Sequence, residues 1–522
     1  MSRGVETHDH SLSIASVRGE GVIAIGISTR IFVVIRDGVG EQTGVVDDGQ
    51  VVRGVAFLQS PTGSCYIVSG GDGKRINMYS IPSPKGMFAS KMEQSELFSA
   101  GIPLSLFVGP HTKRITHVAT CGDSTILFAD KFGEVYRLSL TWTPDQTSNS
   151  GVTTTVVKCK SPPIFLLQHF SVISTFFLSS PISGKKLIYH STENENEKTT
   201  TTLHIVGRRF FTCDKDRHAR VSCYPETFRI EQFLWSEAPQ SVVTSITEIP
   251  DPTGLGKNSY FVIGCYNGMV HLWGADNTLL DASAVETFTL LATLSPQQLG
   301  VIPTAAGDGA ISRAVVSVVH VAMSSTDSGI HADGESNTQG VFIAYDGISS
   351  VIFVPLTYNP SNQKLSFSVE TTIQTPFESF HLAIIGLDSN SAFLLGRDGR
   401  PRVLQLTRRE TKSTIQLVDR CYEKLEQEIL NHTQDGAAGT RLRDINLFAL
   451  WNYDTVDPRR RKRNARDVSD DEDEDGNCSM GGVNTSAANT DNAISAVANG
   501  KDNMVEKKKG EQVAGSKMSR SE

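Results

Sequence analysis

The chain has 522 residues, of which 39% are hydrophobic, and a formal charge of −8. That length suits one large β domain or several small ones, and the modest apolar content points to polar insertions or a disordered end. Residues 459–522 hold 12 Lys+Arg and 12 Asp+Glu, leaving 37 and 45 for residues 1–458, so the folded part carries the whole negative charge and lacks the basic surplus of an independent nucleic-acid binder.

Residues 1–10 read as a flexible N-terminus with no apolar stretch of the secretory kind. The longest apolar run, Val22–Ile35, is broken by Arg30 and is too short for a membrane span. The eight cysteines form no Cys-x-x-Cys pair, which argues against a paired-thiolate zinc site and for small buried hydrophobes in a reducing compartment. The expectation is a soluble intracellular protein with no bound metal and no membrane contact.

From residue 11 one weak unit recurs, a short turn followed by an alternating strand. Its seven copies are Gly26–Val34, Gly71–Tyr79, Asp130–Leu138, Asp214–Val221, Tyr266–Trp273, Tyr345–Phe353 and Arg397–Leu404. Asp-Gly and Asn-Gly tolerate the positive φ that tight hairpin turns need. Apolar runs such as Tyr66–Val68, Phe261–Ile263 and Val341–Ala344 precede most copies, and a further strand often precedes those, as in Val51–Leu58 and Ala314–Ala322. Strand, strand, turn, strand, seven times over, predicts an all-β, seven-bladed β-propeller across residues 11–406. Almost no amphipathic helix interrupts this stretch, which excludes α/β nucleotide folds. The pattern resembles the WD-repeat class in degenerate form: Leu272-Trp273 and Met78-Tyr79 approximate its aromatic end, and Gln168-His169 stands where Gly-His is usual. Turn spacing runs from 44 residues (Ser28 to Asp72) to 84 (Lys131 to Lys215), with the excess in polar insertions at Pro144–Ser150, Pro181–Thr202 and Ser324–Gln339, expected as surface loops.

Residues 407–458 read as a C-terminal helix and an apolar strap. Leu417, Cys421, Leu425 and Ile429 recur at helical spacing over Ile415–Leu430, with Ser413 or Thr414 as the cap. The cluster Ile445–Tyr453 either packs back on the propeller, the favoured reading, or offers a face to a partner. Arg459, Arg460, Arg461, Lys462 and Arg463 form a basic run that fits a nuclear-import signal or a phosphate contact; the bland alternative is a solvated charge cluster. Ser469 precedes the acidic run Asp470–Asp475, and residues 459–522 are expected to be a disordered charged tail.

The sequence contains no GxxxxGK[ST] loop, GxGxxG opening a helix, HExxH or GxSxG. His117, His204, His271 and His320 lie in strand patterns, where structural roles outweigh catalytic ones. Acidic residues such as Asp214 and Asp216 sit at turns, where carboxylates accept backbone N–H bonds. No catalytic residues are expected on this chain.

Two segments go beyond generic repeats: Ala129–Tyr136, and Cys213–Pro225 followed by Arg229–Phe233. They resemble the non-catalytic WD-repeat subunit of eukaryotic tRNA (guanine-N7-)-methyltransferase, whose third blade carries A-D-K-x-G-D-V and whose fourth carries A-D-R-D-E-K-I-R-V-S-x-Y-P and then I-E-x-F. Leu167–Ile173 is similar to that family's L-G-H-V-S start of blade four. The specific match covers about a fifth of the chain. The resemblance implies a heterodimer with a Rossmann-type catalytic subunit that binds S-adenosylmethionine and forms 7-methylguanosine in the tRNA variable loop; this chain would bind no cofactor, meet tRNA through the complex, and reside in the nucleus. It also implies that Lys131, Lys215 and Arg220 pair with acids on the catalytic partner, with Arg217 standing where the family has Glu and His218 where it has Lys. The competing reading is a general WD-repeat scaffold, such as a ubiquitin-ligase substrate receptor or a ribosome-assembly factor, in which these are ordinary loop charges.

Overall fold

A computed structural model describes residues 12–17, 21–36, 41–81, 103–104, 111–144, 155–169, 173–179, 208–215, 217, 219–228, 230–234, 241–253, 258–276, 288–301, 314–323, 339–362, 364–409, 412–418, 422–434, 442, 445 and 447. Its strands form seven antiparallel sheets, the blades of a β-propeller. Blade 1 is Leu12–Val17, Val22–Ile27, Arg30–Arg36 and Glu41–Asp47. Blade 2 is Val52–Gln59, Cys65–Gly71, Ile76–Ile81 and Pro103–Leu104. Blade 3 is Ile115–Cys121, Thr125–Asp130, Glu134–Pro144 and Ile164–Gln168, with Thr155–Cys159 paired to the far end of its third strand. Blade 4 is Ile173–Leu178, Arg208–Asp214, Ala219–Tyr224 and Ile230–Phe233. Blade 5 is Val243–Ile249, Asn258–Cys265, Val270–Asp276 and Thr289–Leu294. Blade 6 is Val315–Ala322, Gln339–Tyr345, Ser350–Asn359 and Lys364–Phe367, with Ile373–Pro376 also on its third strand. Blade 7 is His381–Gly386, Ser391–Gly396, Pro401–Arg409 and Lys412–Val418.

The seven repeat copies all fall on the turn between second and third strands. Each turn places one residue at positive φ: Ser28, Lys74, Gly133, Arg217, Gly268, Gly347 and Gly399. The first strand of each blade lies innermost and packs beside that of the next blade round the ring, so every one of these turns emerges on the same face, called here the turn face.

Seven apolar clusters hold the blades, one at each interface. Ile67 and Tyr79 meet Ile31 and Val33 between blades 1 and 2, and Phe261 packs on Phe211 at 4.5 Å between blades 4 and 5. An inner set of polar bonds crosses the same interfaces. Val55 N–H donates to Ser13 Oγ (3.0 Å), Thr120 Oγ1 to Phe57 O (2.6 Å), His117 Nε2 to Ser174 O (3.2 Å), Ser174 Oγ to Val243 O (2.8 Å), Thr244 Oγ1 to Val315 O (2.6 Å), Ala322 N–H to Ser389 O (2.6 Å) and Ser16 Oγ to Gly386 O (2.7 Å). Buried backbone groups near the axis are thereby satisfied across the blades as well as within them.

Every blade is built from consecutive strands, so the ring closes without strand exchange between its ends. A C-terminal helix closes it instead. Helix α1 spans Glu423–Gln434, and Tyr422, Leu425 and Ile429, at most 1% exposed, enter one cluster with Ile25 and Phe32 of blade 1 and Phe393 and Leu395 of blade 7. Glu41 of blade 1 accepts the Leu425 N–H (2.9 Å) at the helix N-terminus, where a carboxylate opposes the helix dipole. On the blade 7 side, Arg400 pairs with Glu426 at 3.3 Å, and the Tyr422 ring meets Phe393 at 5.3 Å.

The expected helix over Ile415–Leu430 is corrected. Ser413, Thr414, Ile415 and Leu417 form the outer strand of blade 7, paired residue for residue with Val403–Arg409, and the helix starts only at Glu423. Ile415 and Leu417 alternate with Thr414 and Gln416, so a period of two governs there; the spacing from Leu417 to Leu425 is coincident with a helical one. The last blade therefore runs to Val418, past residue 406. Of the strap, Leu442 and Ile445 join the closing cluster. Cys421, the three polar insertions in large part, and residues 448–522 lie outside the described residues.

Candidate interaction face on blades three and four

The turns of blades 3 and 4 are set by buried carboxylates. Asp130, 0% exposed, accepts the N–H groups of Phe132 (2.9 Å) and Glu134 (3.1 Å) through Oδ1 and meets His111 Nε2 at 3.0 Å through Oδ2. In blade 4, Asp214 meets His169 Nδ1 at 3.0 Å, and His169 Nε2 meets Thr212 Oγ1 at 2.8 Å. Asp48 gathers Ser69, Asn77 and Tyr79 in the same way between blades 1 and 2. These residues are structural braces that fix where the turns point; the sequence reading expected turn carboxylates to accept backbone N–H bonds, which Asp130 does, whereas the partner shown for the Asp214 carboxylate is the His169 ring. Asp216 lies outside the described residues.

Lys131 follows Asp130 directly, and its N–H is bonded to Arg114 O at 3.1 Å. The next residue, Phe132, is 46% exposed, with the Lys113 and Lys131 ammonium groups 4.5 and 5.5 Å from its ring centroid. Lys215 and Arg217 occupy the equivalent turn of blade 4, where Arg217 holds φ +74° and donates its N–H to Asp214 O. Lys131, Lys215 and Arg217 thus share the turn face of adjoining blades. Arg220 stands apart from them on the third strand. It is half-buried, its Nε donates to Ser222 Oγ (2.8 Å) and its NH2 to Thr227 O (2.5 Å), and burial lowers its pKa from the ordinary value. His218 lies outside the described residues, as do Arg459, Arg460, Arg461, Lys462 and Arg463.

Much of the distinctive blade 4 segment serves packing. Tyr224 sits in the cluster joining blades 3 and 4, and burial raises its phenol to about 12. Thr227 Oγ1 donates to Leu166 O of blade 3 at 2.8 Å. Glu231 pairs with Arg209 at 3.3 Å, both almost wholly buried, while the Arg209 guanidinium also reaches Ser259 Oγ of blade 5 (3.0 Å) and lies over Phe288 at 4.7 Å. Gln232 exchanges two hydrogen bonds with the Phe288 backbone. This stretch fastens blade 4 to both neighbours.

Sequence reasoning missed an apolar component. Among the described residues, the large hydrophobic side chains standing well exposed are Phe132, Ile164 and Phe165 on blade 3, Phe228, Ile230 and Phe233 on blade 4, and Leu290 on blade 5. The one available signal was Phe132, an aromatic at a turn position where polar residues prevail; Ile164, Phe165, Ile230, Phe233 and Leu290 sit in strands, whose pattern does not reveal which face is outward, and Phe228 lies on the turn before the last strand of blade 4. Burial holds the His271 and His381 imidazoles down at about 4, so both are neutral at physiological pH. Among the described residues no cluster of three His, Cys, Asp or Glu side chains is placed to hold a metal ion.

No family model and no curated protein matches the chain. Among solved structures it is similar to Saccharomyces cerevisiae Sqt1 (11% identity, TM-score 0.44, covering 79% of this chain and 86% of that one). It is also similar to the β-propeller domain of Myceliophthora thermophila Cps50 (Swd1), at 8% identity and TM-score 0.39 over 74% of this chain and 93% of that one. The WD40 β-propeller domain of Doa1 gives 11% identity and TM-score 0.37 over 74% and 90%.

Proposed function

We propose that this seven-bladed β-propeller is the non-catalytic WD-repeat subunit of a tRNA (guanine-N7)-methyltransferase, a docking platform for a catalytic subunit that binds S-adenosylmethionine and methylates tRNA. The observation that carries the reading is the concentration of exposed apolar side chains on blades 3 and 4, around Phe132, Phe165 and Phe228. These are the blades whose sequences resemble that family, and they bear Lys131, Lys215 and Arg217. Exposed apolar side chains with charges on the same blades are what a protein partner covers. Cations on a domain of net charge −8 supply orientation to an acidic counterpart more than raw affinity. The basic run Arg459–Arg463 serves nuclear import in this reading, and its deletion shifts the chain out of the nucleus.

The test is recovery of the partner from cells with wild-type chain and with the double variant Lys131→Glu/Lys215→Glu. The expected result is one adenosylmethionine-dependent methyltransferase with the wild type and its loss with the variant, at unchanged circular dichroism and melting temperature. Recovery of a cullin adaptor or a pre-ribosomal set with the wild type assigns the chain to the general scaffold class. Equal recovery of the methyltransferase by both proteins removes the basic turns from the interface.

A further inference from the structure

Blade 3 carries a carboxylate that the propeller holds in place without neutralising it. Glu134 and Tyr136 lie two residues apart on the third strand and so share one face of the sheet. Across the ladder they stand opposite Gln168 and Phe165 of the outer strand. The Tyr136 ring is fixed by its neighbours: it stacks on Phe128 at 5.3 Å and makes T-shaped contacts with His111 at 4.8 Å and Phe165 at 5.8 Å. His111 is held in turn by Asp130. The Tyr136 hydroxyl donates to Glu134 Oε2 at 2.8 Å, and burial together with that carboxylate raises the phenol above its ordinary value, so the proton stays on the tyrosine.

An ionised carboxylate offers about four acceptor sites, and the Tyr136 hydroxyl fills one of them. Among the described residues no Lys or Arg forms an ion pair with Glu134. Opposite Tyr136, the Phe165 ring is 51% exposed. A braced acid close to an open aromatic ring complements a planar cation, one that lies on the ring while its N–H fork reaches the carboxylate. The guanidinium of arginine has that shape, whereas a lysine ammonium is a point charge without the fork.

We propose that Glu134 and Phe165 seat an arginine of the protein partner, with its guanidinium on the Phe165 ring and donating to the Glu134 carboxylate. The inference rests on the docking role proposed above and adds the partner's chemistry at this blade. Three residues before Glu134 stands Lys131, which with Lys113 surrounds Phe132. Blade 3 therefore presents both signs of charge at short range. A partner that sets an acid on the turn and an arginine on the strand fits in one orientation, because the reversed pairing brings like charges together.

The test uses the full-length chain and the methyltransferase subunit that it recovers. Glu134→Gln keeps an acceptor for the Tyr136 hydroxyl and removes only the charge, and Phe165→Ala removes a half-exposed ring, so both variants are expected to keep the wild-type melting temperature. Each is expected to bind the subunit at least roughly ten-fold more weakly, as when a central arginine loses its contacts. Wild-type affinity in either variant overturns the seat and leaves the docking role standing; recovery of no methyltransferase by the wild-type chain overturns both. Charge exchange then identifies the cation. Of the subunit's arginines replaced singly by glutamate, one is expected to restore binding to Glu134→Arg, and restoration by none of them overturns the assignment.

Discussion

Replacing Glu231 by alanine separates the structural part of the blade 4 segment from its surface part. The Glu231 carboxylate and the Arg209 guanidinium are 5% and 1% exposed and 3.3 Å apart. Desolvation by burial lowers the Arg209 pKa, and Glu231 opposes that effect more strongly than the other acid nearby, Glu248. After Glu231→Ala the guanidinium keeps the Ser259 hydroxyl and the Phe288 ring face, neither of which replaces a carboxylate. Breaking a buried pair from one side costs about 3–5 kcal/mol, far above the ~1 kcal/mol ceiling of an exposed pair. Removing both charges with apolar groups of similar volume, Arg209→Met/Glu231→Leu, is expected to restore most of the loss. Urea unfolding followed by far-UV circular dichroism measures all three proteins. A Glu231→Ala variant within about 1 kcal/mol of wild type refutes the argument, because the pair is then open to water. The partner readout follows: Glu231→Ala weakens complex recovery only as far as it unfolds blade 4, whereas Lys131→Glu weakens it with the fold intact.

Further outcomes are expected. Ile429→Ala, at a position 0% exposed between blades 1 and 7, is expected to destabilise by about 2–5 kcal/mol, read as a lowered melting temperature with early protease cleavage at the ring closure. Arg217→Gly relieves a left-handed residue that costs about 1–2 kcal/mol, so the melting temperature is expected to hold or rise slightly while partner recovery falls; a clear drop in melting temperature contradicts the turn geometry. The His271 and His381 imidazoles have folded pKa values near 4 against an ordinary 6.5. The unfolded chain therefore binds more protons between those values, and stability is complete above about pH 6.5 and lost as pH falls toward 4. Melting temperatures measured from pH 7.5 to 4.5 check the direction, and His381→Phe is expected to flatten part of the slope.

The repeat was legible where backbone chemistry demanded particular residues. Four of the seven turns carry a glycine at the left-handed position, as in Asp346-Gly347 and Asn267-Gly268, because a tight turn needs such a residue and few side chains supply one; the other three hold it with Ser28, Lys74 and Arg217. Second strands such as Val22–Ile27, wholly buried, were equally plain as apolar runs. Outer strands were not: Glu41–Asp47 is half-exposed along its length and carries no alternation. The same weakness let Leu417 pass as the first residue of a helical stripe, since its spacing to Leu425 and Ile429 is one a helix face would show, although it lies in the outer strand of blade 7. The repeat pattern put Lys131, Lys215 and Arg217 on turns, where the structure has them, but could not separate them from Arg220, a strand residue whose guanidinium is engaged by Ser222 and Thr227 of its own blade. Nor could it show that Phe165 and Ile230 face outward, because the side of a sheet that meets solvent is decided by packing between blades.

The docking role rests most directly on one measurement, guanine-N7 methylation of tRNA by the catalytic subunit with and without this chain, at fixed S-adenosylmethionine. The account predicts little product from the catalytic subunit alone, strong stimulation on adding the wild-type chain, and loss of that stimulation with Lys131→Glu/Lys215→Glu. Full methylation in the absence of this chain, or no stimulation by the folded wild-type protein, would contradict it.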